Sequence, residues 1–122
     1  WHGEIPEVDA MRERFWKALA EHDVIAYVSG DEHNYSRALI GPETVKGANG
    51  SVYSIISGGT GAPYYAKAPP KEYADRVQAF SAQQHVTLWT FEEGKPPHLE
   101  VIGLTGEVIE ALDLTEAGPG AR

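Results

Sequence analysis

Between residues 8 and 21 the apolar side chains of Val8, Met11, Phe15 and Leu19 recur every three or four positions, with Glu13, Arg14 and Lys17 in the gaps. That spacing gathers the first set on one face of a helix and the second on the other, which predicts a helix from about Val8 to about Glu21. Pro6 just ahead of it, or Asp9 as a cap, supplies the start, and "EHD" (Glu21 to Asp23) closes it without a terminal glycine. The run "DVIAYVS" follows. It is continuously apolar, without alternation, and predicts a strand covered on both faces, with the helix as one cover.

Beyond it, short β-prone runs alternate with turn residues. "RALIG" and "SVYSIIS" predict strands, separated by a loop that ends in the turn-prone Asn49-Gly50. "GGTGAPYYAKAPPKE" predicts a long irregular loop, and its length suggests a functional or lid-like segment. "YADRVQAFSA" is read as one or two helical turns. "HVTLWTFE" and "HLEVIGLTGEVIEALDL" give two or three more strands, with "EGKPP" and "LTGE" as hairpin connections. The fold class expected is α/β in the α+β sense: one amphipathic helix, a buried strand and an antiparallel β-meander. Residues 1–115 form a single domain, and residues 116–122 have nothing to pack against and fray. A chain of 122 residues holds one hydrophobic core.

Composition narrows the partners. The formal charge is -8, from 10 basic and 18 acidic residues, and no Lys/Arg cluster offsets it, so nucleic acid is excluded as a partner. No apolar run approaches the length of about eighteen residues that a membrane span needs. With no cysteine, any metal is held by His, Asp, Glu or Asn. The chain opens on Trp1 and not Met, from which a processed or truncated start is expected.

The candidate chemistry lies in "GDEHNYSR", residues 30–37, at the carboxyl end of the first strand, where open sheets with helical covers present ligands. Gly30 permits a sharp turn off the strand. Asp31 and His33, two residues apart, can lean the same way and form a hard-to-borderline donor pair for Zn, Mn, Fe or Co. Arg37 offers a planar fork for phosphate or carboxylate oxygens, and Asn34 and Tyr35 offer donors near the same point. The plainer alternatives are an Asp that only caps its own turn, a surface Arg37, and a Tyr35 packed on the core with a wet hydroxyl. "SGGTGAP" is neither a dinucleotide fingerprint nor a P-loop, and is read as a turn passing close beneath the site. Trp89 and Phe91 share a strand face with His85 and Thr87 and are read as core or interface.

The stretch "FWKALAEHDVIAYVSGDEHNYSR" resembles the closing metal-binding block of calcineurin-like metallophosphoesterases, the superfamily that includes purple acid phosphatases. There an amphipathic helix leads to a strand ending in Gly-His-x-His, followed by an aromatic and a basic residue. "VYSIISGGTGAP" resembles the strand and glycine-rich turn that come next, and the two later runs resemble the terminal strands. The resemblance implies the second half of an αββα sandwich and a phosphoester hydrolase with two divalent or trivalent ions (Mn, Zn or Fe). Asp31 then takes the first histidine's place and His33 the second, each on one ion, with Asn34, Tyr35 and Arg37 toward the substrate. Asp31 departs from the commonest pattern; a Gly-Asp-x-His version resembles alkaline phosphodiesterases. The family's other ligands, an Asp-x-His, a Gly-Asp, an Asn-His and a further His, are not matched, and no catalytic residue is assignable. The chain is therefore expected to be the C-terminal half of such an enzyme, inactive alone, lacking its N-terminal half and prone to oligomerise through an exposed apolar flank. The alternatives are a non-catalytic β-rich binding module and an inactive folding fragment.

Overall fold

The computed structural model describes residues 6–63 and 75–115, and shows one helix and seven strands in two mostly antiparallel sheets, an α+β arrangement with a β-meander. The elements run α1 (Pro6–Glu21), β1 (Ala26–Ser29), β2 (Tyr35–Ile40), β3 (Val52–Ser57), β4 (Val77–Ser81), β5 (His85–Thr90), β6 (His98–Gly103) and β7 (Val108–Asp113). Residues 1–5, residues 64–74 of the long irregular loop and the tail of residues 116–122 lie outside the described residues.

The first sheet has the order β1-β3-β2-β4, with β1 parallel to β3 and the other pairs antiparallel. The second is the meander β5-β6-β7. Strand alternation turns Tyr35, Tyr53 and Ile55 of the first sheet toward Leu99 and Val101 of the second, and with Leu114 these six form the buried core. Trp89 packs on its margin.

α1 ends as its polar closing residues predict. His22 N–H and Val24 N–H both reach the Leu19 carbonyl, at 3.3 and 3.2 Å. Asp23 takes the left-handed conformation (φ 55°) that glycine takes at most helix ends. The helix meets β1 through rings: Phe15 and Trp16 stand edge-on to Tyr27, with centroids 5.0 and 5.8 Å away.

Three sequence expectations are corrected. β1 is not covered on both faces. It is an edge strand, with Tyr27 39% and Val28 47% exposed, because α1 shields only part of one side. The stripe Val8, Met11 and Phe15 is likewise exposed, Met11 at 68%, since the helix seats Ala20 and the Trp16 edge inward. The segment read as helical turns carries β4: Val77, Ala79 and Ser81 alternate with the exposed Gln78 and Phe80, a period of two that lets them pair with β2.

Candidate functional site

Because β1 and β3 are parallel, their carboxyl ends lie together, and both end in glycine: Gly30 after β1, Gly58 and Gly59 after β3. The "GDEHN" loop is laced at this end by three backbone bonds. Glu32 N–H donates to the Gly30 carbonyl (3.0 Å), Asn34 N–H to that of Glu32 (2.8 Å), and Gly58 N–H to that of Asn34 (3.1 Å). A Cβ at Gly58 would lie 2.2 Å from the Glu32 carbonyl oxygen, so the glycine-rich turn does pass against the loop. At Gly30 a Cβ would meet nothing within 4 Å, and the left-handed bend is made by Asp31 at φ 73°. The sharp turn expected of Gly30 belongs to its neighbour.

Asp31 is exposed on this bend and His33 is half-buried beside it. The His33 Nδ1 lies 2.5 Å from the Pro63 carbonyl, which only accepts, so Nδ1 carries a proton. A backbone carbonyl orienting one ring nitrogen in this way is the usual support of a metal-ligating imidazole. Asn34 is 9% exposed, and its Oδ1 is buried without a hydrogen-bond partner. An orphaned amide oxygen costs stability unless something polar meets it. Asp31, His33 and Asn34 thus present carboxylate, imidazole and amide oxygen on one short loop, donors that fit a hard-to-borderline cation. Among the described residues no three His, Cys, Asp or Glu side chains form a group able to hold a metal ion.

Tyr35 and Arg37 are not at a rim. Tyr35 is fully buried and both point between the sheets at Glu110 of β7. Arg37 grips that carboxylate with two donors, Nη2 at 2.7 Å and Nε at 3.1 Å, while Tyr35 donates its hydroxyl to the same group and Gln78 takes the third bond from Arg37. Burial, then the Glu110 carboxylate, pushes the Tyr35 phenol well above its ordinary range. Burial would raise Glu110 too, but the hydrogen bonds from Arg37 and Tyr35 outweigh it and hold the carboxyl below its usual range. The hydrogen bonds that Arg37 donates to Glu110 likewise raise the Arg37 pKa.

Sequence reasoning gave His85 no task beyond its strand face. It is 2% exposed, with Nδ1 2.9 Å from the Gln83 carbonyl and Nε2 3.1 Å from Ser57 Oγ, and it occupies the space a side chain at Gly59 would need. His85 therefore pegs the second sheet to the glycine turn beneath the loop. A signal that could have found it is a histidine on an inward strand face together with a strand that ends in Ser-Gly-Gly. No helix among the described residues is long and apolar enough to cross a membrane. The fold and the loop define an α+β sandwich with a polar donor loop at its parallel strand ends. Comparison with protein families, curated proteins and solved structures finds no match to this chain.

Proposed function

We propose that the chain contributes a metal-binding block to a metal-dependent phosphoester hydrolase, with Asp31 and His33 as ligands and Asn34 supplying a further oxygen or orienting the substrate. The observation that carries this reading is the orphaned Asn34 Oδ1 on the same loop as an exposed Asp31 and a His33 whose Nδ1 is tied to a carbonyl. Two divalent or trivalent ions (Mn, Zn or Fe), held jointly with ligands from another part of the fold, would supply charge stabilisation to a phosphoryl group and acidify water. This chain's own residues set the donor geometry. Asp31 holds the bend, His33 is oriented through its Nδ1, and the glycine turn beneath keeps the loop from sinking. Tyr35 and Arg37, spent on Glu110, hold β2 to the second sheet and leave the phosphoester to residues outside this loop.

That commitment of Arg37 favours one second reading, a non-catalytic β-rich module whose loop meets a partner. Titration with Mn2+ and Zn2+, followed by NMR, separates the two. The metal reading expects changes at the His33 ring and the Asn34 side-chain amide, abolished by His33→Ala, with little phosphatase activity from the chain alone. If no metal perturbs the loop, or the changes centre on the exposed His98–Asp113 pair (2.6 Å) instead, the metal reading fails.

A further inference from the structure

Both sheets end on the same side of the molecule. β1 is the edge of the first and β5 the edge of the second, and between them runs a cleft of about 360 Å3, with Ile25, Ala26 and Val28 along β1 and Trp89, Phe91 and Leu114 opposite. Phe91 is 73% exposed and lies flat against Trp89, with ring centroids 6.3 Å apart. The cleft is a continuation of the core that has no lid among the described residues.

The backbone says what kind of group fits. Tyr53 N–H donates to the Ile25 carbonyl, and Ala26 lies beside Tyr53 in the register. In a parallel ladder alternate residues bond the neighbour, so Ile25, Tyr27 and Ser29 face β3. Ala26 and Val28 turn their N–H and C=O groups to the outer edge, where no described strand pairs with them. A buried or apolar surface bordered by an open ladder is met by another strand, whose backbone bonds the edge and whose side chains enter the cleft.

A second copy is a poor occupant. A two-fold antiparallel pairing centred on Tyr27 brings the exposed Asp23 of each copy toward Asp31 of the other, twice, and one centred on Ala26 brings Asp31 toward the exposed Glu21. Like charges placed opposite each other oppose pairing. We propose that β1 is a docking edge for an extended segment of another protein, apolar along its middle and basic at its ends to meet the exposed Asp23 and Asp31, added as a fifth strand beside β1 and packed onto Val28, Trp89 and Phe91. This goes beyond the metal reading and does not depend on it.

The test uses the full chain in EDTA, so that its outcome is independent of metal. The probe is a seven-residue peptide alternating valine and threonine between terminal lysines, and amide exchange is the readout. At saturating peptide, exchange at Ala26 and Val28 is expected to slow at least tenfold, with Tyr27 unchanged. Val28→Pro removes an outward N–H that β3 does not use and should abolish the effect. Phe91→Ala, at an exposed position that leaves the fold intact by circular dichroism, should weaken binding at least fivefold and decides the matter if the proline variant does not fold. Terminal glutamates in place of the lysines should also weaken binding. No slowing at any soluble peptide concentration overturns the proposal. So does equal slowing in folded Val28→Pro, or a chain that is already a dimer with Ala26 and Val28 protected before peptide is added.

Discussion

At φ 73° the Asp31 backbone sits in the left-handed region, which costs a residue with a Cβ about 1 kcal/mol, less for the short polar Asp and Asn than for others. Asp31→Gly removes that cost, and with glycine's greater unfolded-state entropy offsetting part of the gain it should stabilise the chain by no more than about 0.5 kcal/mol in a denaturant titration, while eliminating the proposed metal binding. A variant that loses stability would show that the bend is not strained. The neighbouring glycines divide in the opposite sense. Gly30→Ala, with open space around it, should change stability by less than about 0.5 kcal/mol. Gly58→Ala drives a methyl to 2.2 Å from the Glu32 carbonyl and must displace the loop, with an expected cost of about 2–3 kcal/mol. Thermal melts of the two variants side by side check the difference. "GDEHNYSR" gave the residue types and their position at a strand end, but not which residue makes the bend. That depends on where β3 passes, and β3 lies some twenty residues further along the chain.

The same limit operates between elements. Tyr35 and Arg37 stand two apart, so a shared face was readable, but their partner Glu110 is 73 residues beyond Arg37 and belongs to the other sheet. Only the stacking of β2 on β7 brings it within reach, and no local pattern encodes that stacking. Strand existence was legible wherever alternation or β-branched runs were long, as in β3, β5 and β6. It failed at β4, where five residues in a mixed window fit two periods. Removing one member of a partly buried ion pair leaves the other charge poorly compensated, so Glu110→Ala should cost about 2–3 kcal/mol. Because the folded Glu110 pKa is lowered, the carboxylate's contribution is complete above the ordinary glutamate range, about 4.3, and is lost as pH falls through the folded value. Glu110→Gln should therefore flatten the acid limb of the stability profile. Tyr35 acts at the other end. Its raised pKa keeps it protonated in the folded chain when the unfolded one ionises, so its contribution is complete below about pH 10 and declines as pH rises through the folded value. Urea titrations across pH on the parent and Glu110→Gln follow both limbs; parallel profiles would exclude the clamp as their source.

On the scale of the whole molecule, a net charge of -8 works against surfaces that would otherwise adhere. The helix stripe was legible as an apolar face, but its direction was not, because a 3.6-residue period marks a face without saying what covers it. Here the stripe of Val8 and Met11 points outward, on the helix that flanks the β1 edge. Repulsion between copies reaches about 10 Å at 0.1 M salt and about 3 Å at 1 M, whereas apolar contact does not weaken as salt rises. Light scattering should therefore begin at a lower protein concentration in 1 M NaCl than in 0.1 M. Replacing both Val8 and Met11 by lysine should abolish that salt effect, and at exposed positions the double change should cost no more than about 1 kcal/mol of stability. The two lysines also lower the net negative charge, so a general charge mechanism predicts more association and an apolar stripe predicts less. The sign of the change in scattering therefore decides between them.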